Sequence, residues 1–215
     1  MVRQVFLTLF ALTFGAVVTA RAHSVWIERN TNDQLVVCFA EPGTALETSP
    51  GQLDNLSTPV AFMLVTNKPV AVEAPKKAED FLLVGASHTN VACAETSFTV
   101  RGGRKPNFYA RWQPAEAGAA APLLTLDLVP TGKSGEVRAY FRGKALGGIK
   151  ALLRAPDESE TELTADAEGL IRFTATQSGH YLMTIAHHRE PLAGFHRGVA
   201  YAETSHNCSL FWEQK

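Results

Sequence analysis

Cysteine is scarce in this chain, with three residues (Cys38, Cys93 and Cys208) in 215. That scarcity excludes a disulfide-dense mini-scaffold and every cysteine-rich zinc motif. Charge of one sign is also lacking. Twenty basic residues face 21 acidic ones, a formal net charge of −1, so there is no electrostatic footprint for nucleic acid. Enzyme signatures are missing: no Gly-x-Ser-x-Gly elbow, no His-Glu-x-x-His helix, no phosphate loop and no dinucleotide fingerprint. The pair Gly102-Gly103 precedes Arg104-Lys105-Pro106 with no helix pattern behind it, so it reads as a loop and not as a phosphate cradle. Helical periodicity is nearly absent. Beyond the N-terminal segment no apolar run is long enough to cross a membrane.

What is present supports folding. With 46% hydrophobic and 19% charged residues, general disorder is excluded, and the length suits one large domain or two small ones. The first 22 residues read as a secretion signal. Arg3 supplies the positive start, Val5 to Val18 an apolar core, and Ala20-Arg21-Ala22 a small-x-small cleavage pattern. Gly15 and that cleavage site speak against an uncleaved anchor. Cutting after Ala22 leaves 193 residues with all seven histidines, and 18 basic against 21 acidic residues, a net charge of −3. The expectation is a periplasmic or otherwise exported protein with no membrane insertion after cleavage. In an oxidising compartment two of the three cysteines can pair and leave one over; the sequence does not choose among the three pairings.

Short β-rich runs alternate with turn residues along the mature chain: Ser24–Ile27, Gln34–Ala40, Val60–Val65, Phe81–Gly85, Asn107–Trp112, Leu123–Val129, Val137–Phe141, Ile149–Arg154, Leu170–Thr174, Tyr181–His187 and Ser205–Trp212. This spacing predicts an all-β protein of antiparallel sandwiches. Ala115–Pro122 reads as a short helix or a linker. From Gly135 onward, Thr164-Ala-Asp-Ala-Glu-Gly169 and Gln177-Ser-Gly-His-Tyr181 place turn-formers before successive strands. This half resembles the prealbumin-like or carboxypeptidase-regulatory-like sandwich. Two domains are therefore expected, an irregular β domain over 23–130 and a compact sandwich over 131–215.

His23 is the strongest single candidate for chemistry. At a mature N-terminus a histidine offers one metal both its α-amine and its imidazole Nδ1, closing a chelate ring. Such nitrogens favour Ni, Cu, Co and Zn over Mg or Ca. The alternative is that cleavage merely leaves a histidine first. His187-His188-Arg189-Glu190-Pro191 ends a strand. Alternation sends His187 and His188 to opposite faces, whereas His188 and Glu190 can face one way, at a rim set by Pro191. A solvated edge is the competing reading. His206 shares an alternating face with Cys208, Leu210 and Trp212, which leaves it open as a ligand or as a core histidine. His196 lies in a loop that can reach any rim site; His88 and His180 read as surface residues.

Longer phrases resemble the DUF4198 family, exported β proteins described as periplasmic components of cobalt or nickel transport and related to the NikM-like group. They are Ala22-His23-Ser-Val-Trp-Ile-Glu28, Leu35-Val-Val-Cys-Phe-Ala-Glu-Pro-Gly43, Ser49-Pro-Gly-Gln-Leu-Asp54, Phe108-Tyr-Ala-Arg-Trp112, Leu126-Asp-Leu-Val-Pro130, Phe141-Arg-Gly-Lys-Ala-Leu146 and His188-Arg-Glu190, with Tyr201 and Ser205-His206. The resemblance implies a β domain joined to a prealbumin-like sandwich and transition-metal binding outside the cytoplasm; the family's histidine positions are matched by His23, His188 and His206, which are the expected metal ligands. Glu190 would serve as an oxygen ligand or as the acceptor orienting an imidazole. The expected function is non-catalytic capture of Ni²⁺ or Co²⁺, with Cu²⁺ a third candidate, for delivery to a membrane transporter. The metal is then cargo and no cofactor is needed. Two rivals follow from the same residues: a histidine-brace copper oxidase, and a structural or interaction module of the envelope that holds no metal.

Overall fold

The computed structural model describes residues 22–215 apart from residue 116. The expected leader, save its last residue Ala22, lies outside the described residues. In the N-terminal half run β1 (Ser24–Arg29), β2 (Leu35–Ala40), a 3-10 turn (Gln52–Asn55), β3 (Val60–Val65) and β4 (Lys68–Val72). These are followed by β5 (Asp80–Leu82), β6 (Ala92–Ser97), β7 (Arg104–Gln113) and β8 (Leu126–Pro130). Then come β9 (Glu136–Phe141), β10 (Lys144–Ala145), β11 (Lys150–Arg154), β12 (Glu160–Thr164) and β13 (Leu170–Arg172). Last are β14 (Gly179–Glu190), β15 (Gly194–His196), β16 (Val199–Tyr201) and β17 (Glu203–Gln214). The fold is all-β, as the turn spacing predicts. The segment expected as a helix or linker before Pro122 carries no helix among its described residues.

One eight-stranded sheet, in the order β12-β11-β14-β17-β7-β6-β3-β4, forms the middle of the molecule. The three-stranded sheet β1-β2-β5 covers one face, and the strands β8, β9, β10 and β13 cover the other. Alternation divides the side chains of the central strands between two cores. Phe108, Ala110, Trp112, Leu182 and Phe211 pack against β1 and β2. Tyr109, Met183, Ile185, Cys208 and Leu210 pack against β8 and β9. Fully buried side chains such as Ile27, Phe81, Leu126 and Ile171 each contribute about 1.5–3 kcal/mol. The edges are guarded: β4 carries Lys68 and Pro69, and β12 carries Glu160 and Glu162, features that resist edge-to-edge pairing.

The boundary expected near residue 131 does not divide the sheets. β8 pairs antiparallel with β9 across it, and β17 runs parallel to β7 over ten residue pairs from Glu203↔Arg104 to Trp212↔Gln113. The two expected sandwiches share a single central sheet. A buried ion pair fastens that sheet to its β8 cover. Arg111 Nε and one terminal nitrogen donate to the two carboxylate oxygens of Asp127 at 2.9 and 2.6 Å, and both residues are 0% exposed. The turn expected at Thr164–Gly169 is present, with Asp166 Oδ1 accepting from the Leu170 amide at 2.9 Å. The one at Gln177–Tyr181 is closed by the Tyr181 hydroxyl donating to the Gln177 carbonyl at 3.1 Å.

Disulfide pairing is not observed. All three cysteines are free and buried; Cys38 sits in the β1 core, while Cys93 and Cys208 sit in the β9 core. Among the described residues no helix is long and apolar enough to cross a membrane.

Candidate functional site

His23 stands immediately before β1 and packs its ring against Phe39, with ring centroids 5.1 Å apart. Its Nε2 is 2.6 Å from Glu47 Oε1, and its Nδ1 is 3.8 Å from Glu41 Oε1. Both glutamates lie in the loop that follows β2, so the hairpin β1-β2 positions ring and carboxylates together. A carboxylate this close to Nε2 draws the ring proton there and leaves Nδ1 as the free donor nitrogen. His23 opens onto a cavity of about 320 Å³ that runs over Phe39, Phe98 and Phe108 to His187 and Asn207. Larger recesses of about 500, 440 and 420 Å³ lie elsewhere, and none of them is lined by His23.

The expected partners of His23 lie on the opposite face of the central sheet. His206 belongs to the β9 face. Its Nδ1 is 3.0 Å from the Tyr109 hydroxyl, its ring stacks on Tyr109, and Phe141 stands edge-on at 5.1 Å. Burial raises the Tyr109 phenol to about 12, so it stays protonated, and the His206 tautomer sets which of the two groups donates. Nε2 of His206 faces Glu190 Oε2 at 3.4 Å. Glu190 is already held by Arg142 at 2.8 Å, and His188 lies edge-on to Phe141 at 4.5 Å. Burial holds both imidazoles below their ordinary range, with Glu190 opposing the shift in each case. The expected common face of His188 and Glu190 is therefore present. Of the open readings for His206, the core histidine is the one the packing supports, although its partner is a side chain and not the backbone. A metal set joining His23 to His188, His206 and Glu190 would have to pass through the sheet.

His206 follows the regular alternation of β17 with Cys208 and Leu210, and a β-bulge accounts for the place of His188 and Glu190. β14 pairs Ile185 with Cys208 and next pairs His188 with His206, so two residues of β14 oppose the single Asn207. His187 takes a left-handed conformation, φ +59°, and its amide donates to Asn207 Oδ1 at 2.9 Å. Simple alternation would put His188 with Leu182 and Thr184 on the β1 face, and His187 with Ile185 on the β9 face. The extra residue exchanges them, so His187 lines the cavity with His23 while His188 turns away. Burial, then Arg104 and Arg189, hold His187 below its usual range.

Neither a family model nor a curated protein matches the chain. Its function has to be argued from the residues. Among those described, no three His, Cys, Asp or Glu side chains converge closely enough to hold a metal ion by themselves, so any site at His23 needs a further donor. Cys208 is not one: it lies on the far face, and burial pushes its thiol well above the ordinary range. His196 sits in the β15-β16 hairpin, and the cavity does not include it.

Sequence reasoning passed over Glu41, Glu47, His187, Arg101 and Arg104. The Gly102-Gly103 step was a usable signal, since two glycines between strand residues mark a two-residue hairpin turn. Both take positive φ, 55° and 73°, and Arg101 and Arg104 exchange backbone hydrogen bonds of 2.9 and 3.0 Å across the turn.

Proposed function

We propose that this is an exported carrier that captures a divalent transition metal through His23 and passes it to a membrane transporter. Ni²⁺ and Co²⁺ are the leading candidates, with Cu²⁺ third. What carries the reading is the Glu47 carboxylate at 2.6 Å from Nε2, which reserves Nδ1 for chelation. Cleavage after Ala22 would free the α-amine, and His23 would then supply two nitrogens to one ion. Glu41 beside Nδ1 and His187 across the cavity replace His188, His206 and Glu190 as the further ligands. A nitrogen-rich set completed by one carboxylate suits late first-row metals. The metal is cargo, and the protein performs no catalysis on it.

The test compares chain beginning at His23 with chain bearing one serine before it, by equilibrium dialysis against Ni²⁺, Co²⁺ and Cu²⁺. The added residue keeps the imidazole but moves the amine out of chelating position, so affinity should fall at least about tenfold. Glu47→Gln should cost about 10–100-fold, as losses of orienting carboxylates do. His188→Asn should leave affinity unchanged. Equal binding by native and extended chains would overturn the proposal.

The pairing of His23 with His187 in one cavity also suits a copper brace, which is the specific observation favouring the oxidase reading. A recessed, phenylalanine-floored cavity fits a small ligand better than the flat face a polymer-cleaving enzyme needs. Copper-loaded protein mixed with ascorbate distinguishes the two, because a carrier generates no peroxide above that of the metal-free chain.

A further inference from the structure

The geometry points to a second recognition element in the His23 cavity, a seat for the carboxylate of a small organic anion with an apolar body. Arg101 and Arg104 face one another across the Gly102-Gly103 turn, and both line the cavity. Like charges directly opposed on a hairpin repel one another, and Glu203, which the register sets opposite Arg104, is paired with Arg189 at 3.7 Å instead. Among the described residues neither guanidinium forms an ion pair. Arg101 donates to Gln52 Oε1 at 2.9 Å and lies over the Phe98 ring, and the buried Nε of Arg104 has no hydrogen-bond partner.

Ser205 makes the independent observation. It is 1% exposed, lines the same cavity, and its hydroxyl is also without a partner. The parallel register places Ser205 opposite Pro106, with Arg104 two residues earlier in β7 on the same face. A buried hydroxyl and two guanidiniums outside any ion pair thus line one cavity. Buried polar groups left without partners are uncommon in folded proteins, and a guanidinium fork matches a carboxylate in geometry as well as charge. Phe39, Phe98 and Phe108 in the same lining would receive the body of the anion. Glu47, the acidic group in the cavity, is already engaged by His23. The size, about 320 Å³, is at the small end of ligand sites.

This reading stands apart from metal capture and is tested without metal. Chain beginning at His23 is titrated with sodium benzoate in the presence of EDTA, by isothermal calorimetry and by following amide resonances of the Arg101–Arg104 turn. Saturable binding is expected. Benzamide, which has the same ring without the charge, should bind at least tenfold more weakly, and so should acetate, which has the charge without the ring. Arg104→Gln should weaken benzoate at least tenfold and Ser205→Ala several-fold, with unchanged circular dichroism. The benzamide and acetate comparisons need no variant, so misfolding of a mutant cannot mask the answer. Absence of saturable benzoate binding overturns the proposal, as does benzamide or acetate binding as well as benzoate, or a folded Arg104→Gln chain with unaltered affinity. Metal binding by the same sample is unaffected by any of these outcomes, so the two readings fail separately.

Discussion

Replacing Asp127 by alanine tests how the central sheet is fastened to its β8-β9 cover. Asp127 is 0% exposed and accepts from Arg111 through both oxygens, while its Oδ2 also accepts from the Leu123 amide at 2.8 Å. Removing the carboxylate leaves the Arg111 guanidinium buried, charged and reduced to the Ala121 carbonyl at 3.2 Å. Breaking one side of such a buried pair costs about 3–5 kcal/mol, against a total stability of about 5–15 kcal/mol for a domain. Asp127→Ala should therefore lose roughly a fifth or more of the free energy of unfolding in a urea titration. Its melting temperature should fall by about 6–20 °C at 2–4 °C per kcal/mol. The double variant Arg111→Met, Asp127→Leu should recover most of the loss, because apolar replacement removes the stranded charge. A loss below about 1 kcal/mol for Asp127→Ala, or a double variant weaker than the single, would refute this account of the pair.

Burial raises all three thiols, Cys93 to about 12, so none should react with Ellman's reagent at pH 8 until urea unfolds the chain; rapid labelling of any one in native protein would contradict their packing. Stability should fall on mild acidification. Burial holds the imidazoles of His187, His188, His196 and His206 below their ordinary range, so the unfolded chain, titrating near about 6.5, binds protons the folded one refuses. The histidine contribution is complete above that pH and is lost as pH drops through the folded values. The urea midpoint should be lower at pH 5.5 than at 7.5, and His206→Gln should flatten the difference; a midpoint that rises on acidification would reverse the sign of the argument.

Much of the architecture was legible because burial on one face writes itself into alternation. Each of the eleven β-rich runs read from the sequence contains or overlaps a strand, and Asp166 and the Tyr181 hydroxyl close turns where the residue pattern put them. What alternation omits is pairing at a distance. The parallel partnership of β7 with β17 joins residues about a hundred positions apart, and nothing local in either strand announces it. A boundary near residue 131 was a fair reading of a change in rhythm, yet the sheet crosses it. Strand β4, largely exposed and carrying Lys68 and Pro69, lacks the apolar signal that would have marked it. Two of the phrases carrying the family resemblance, Phe108–Trp112 and Leu126–Pro130, turn out to meet through Arg111 and Asp127. That pair alone gives them a structural reason to exist, independent of any activity.

The places of His187 and His188 escape simple alternation for a narrower reason, and the reason is one residue. A strict period of two assigns every β14 side chain from Leu182 onward to a face, so a single inserted position inverts all that follow it. The inversion lies between Ile185 and His188, where His187 adopts φ +59° against the Asn207 side chain. No composition marks it, because a non-glycine residue at positive φ carries no signature in the chain itself. The correct face could be inferred only from the partner strand, in which Asn207 supplies an amide acceptor at the place the bulge needs one. Deleting Ala186 should remove the extra residue and restore plain alternation, with His187 opposite Asn207 and His188 still opposite His206. Both imidazoles would keep their faces, but His187 would give up its left-handed φ of +59° and its amide bond to the Asn207 side chain. Metal affinity then separates two explanations of the bulge: if it exists to aim the His187 ring into the His23 cavity, the deletion variant, once shown to be folded, should bind metal more weakly than the native chain. If affinity survives, the bulge is an adaptation of the His206–Glu190–Arg142 network on the far face.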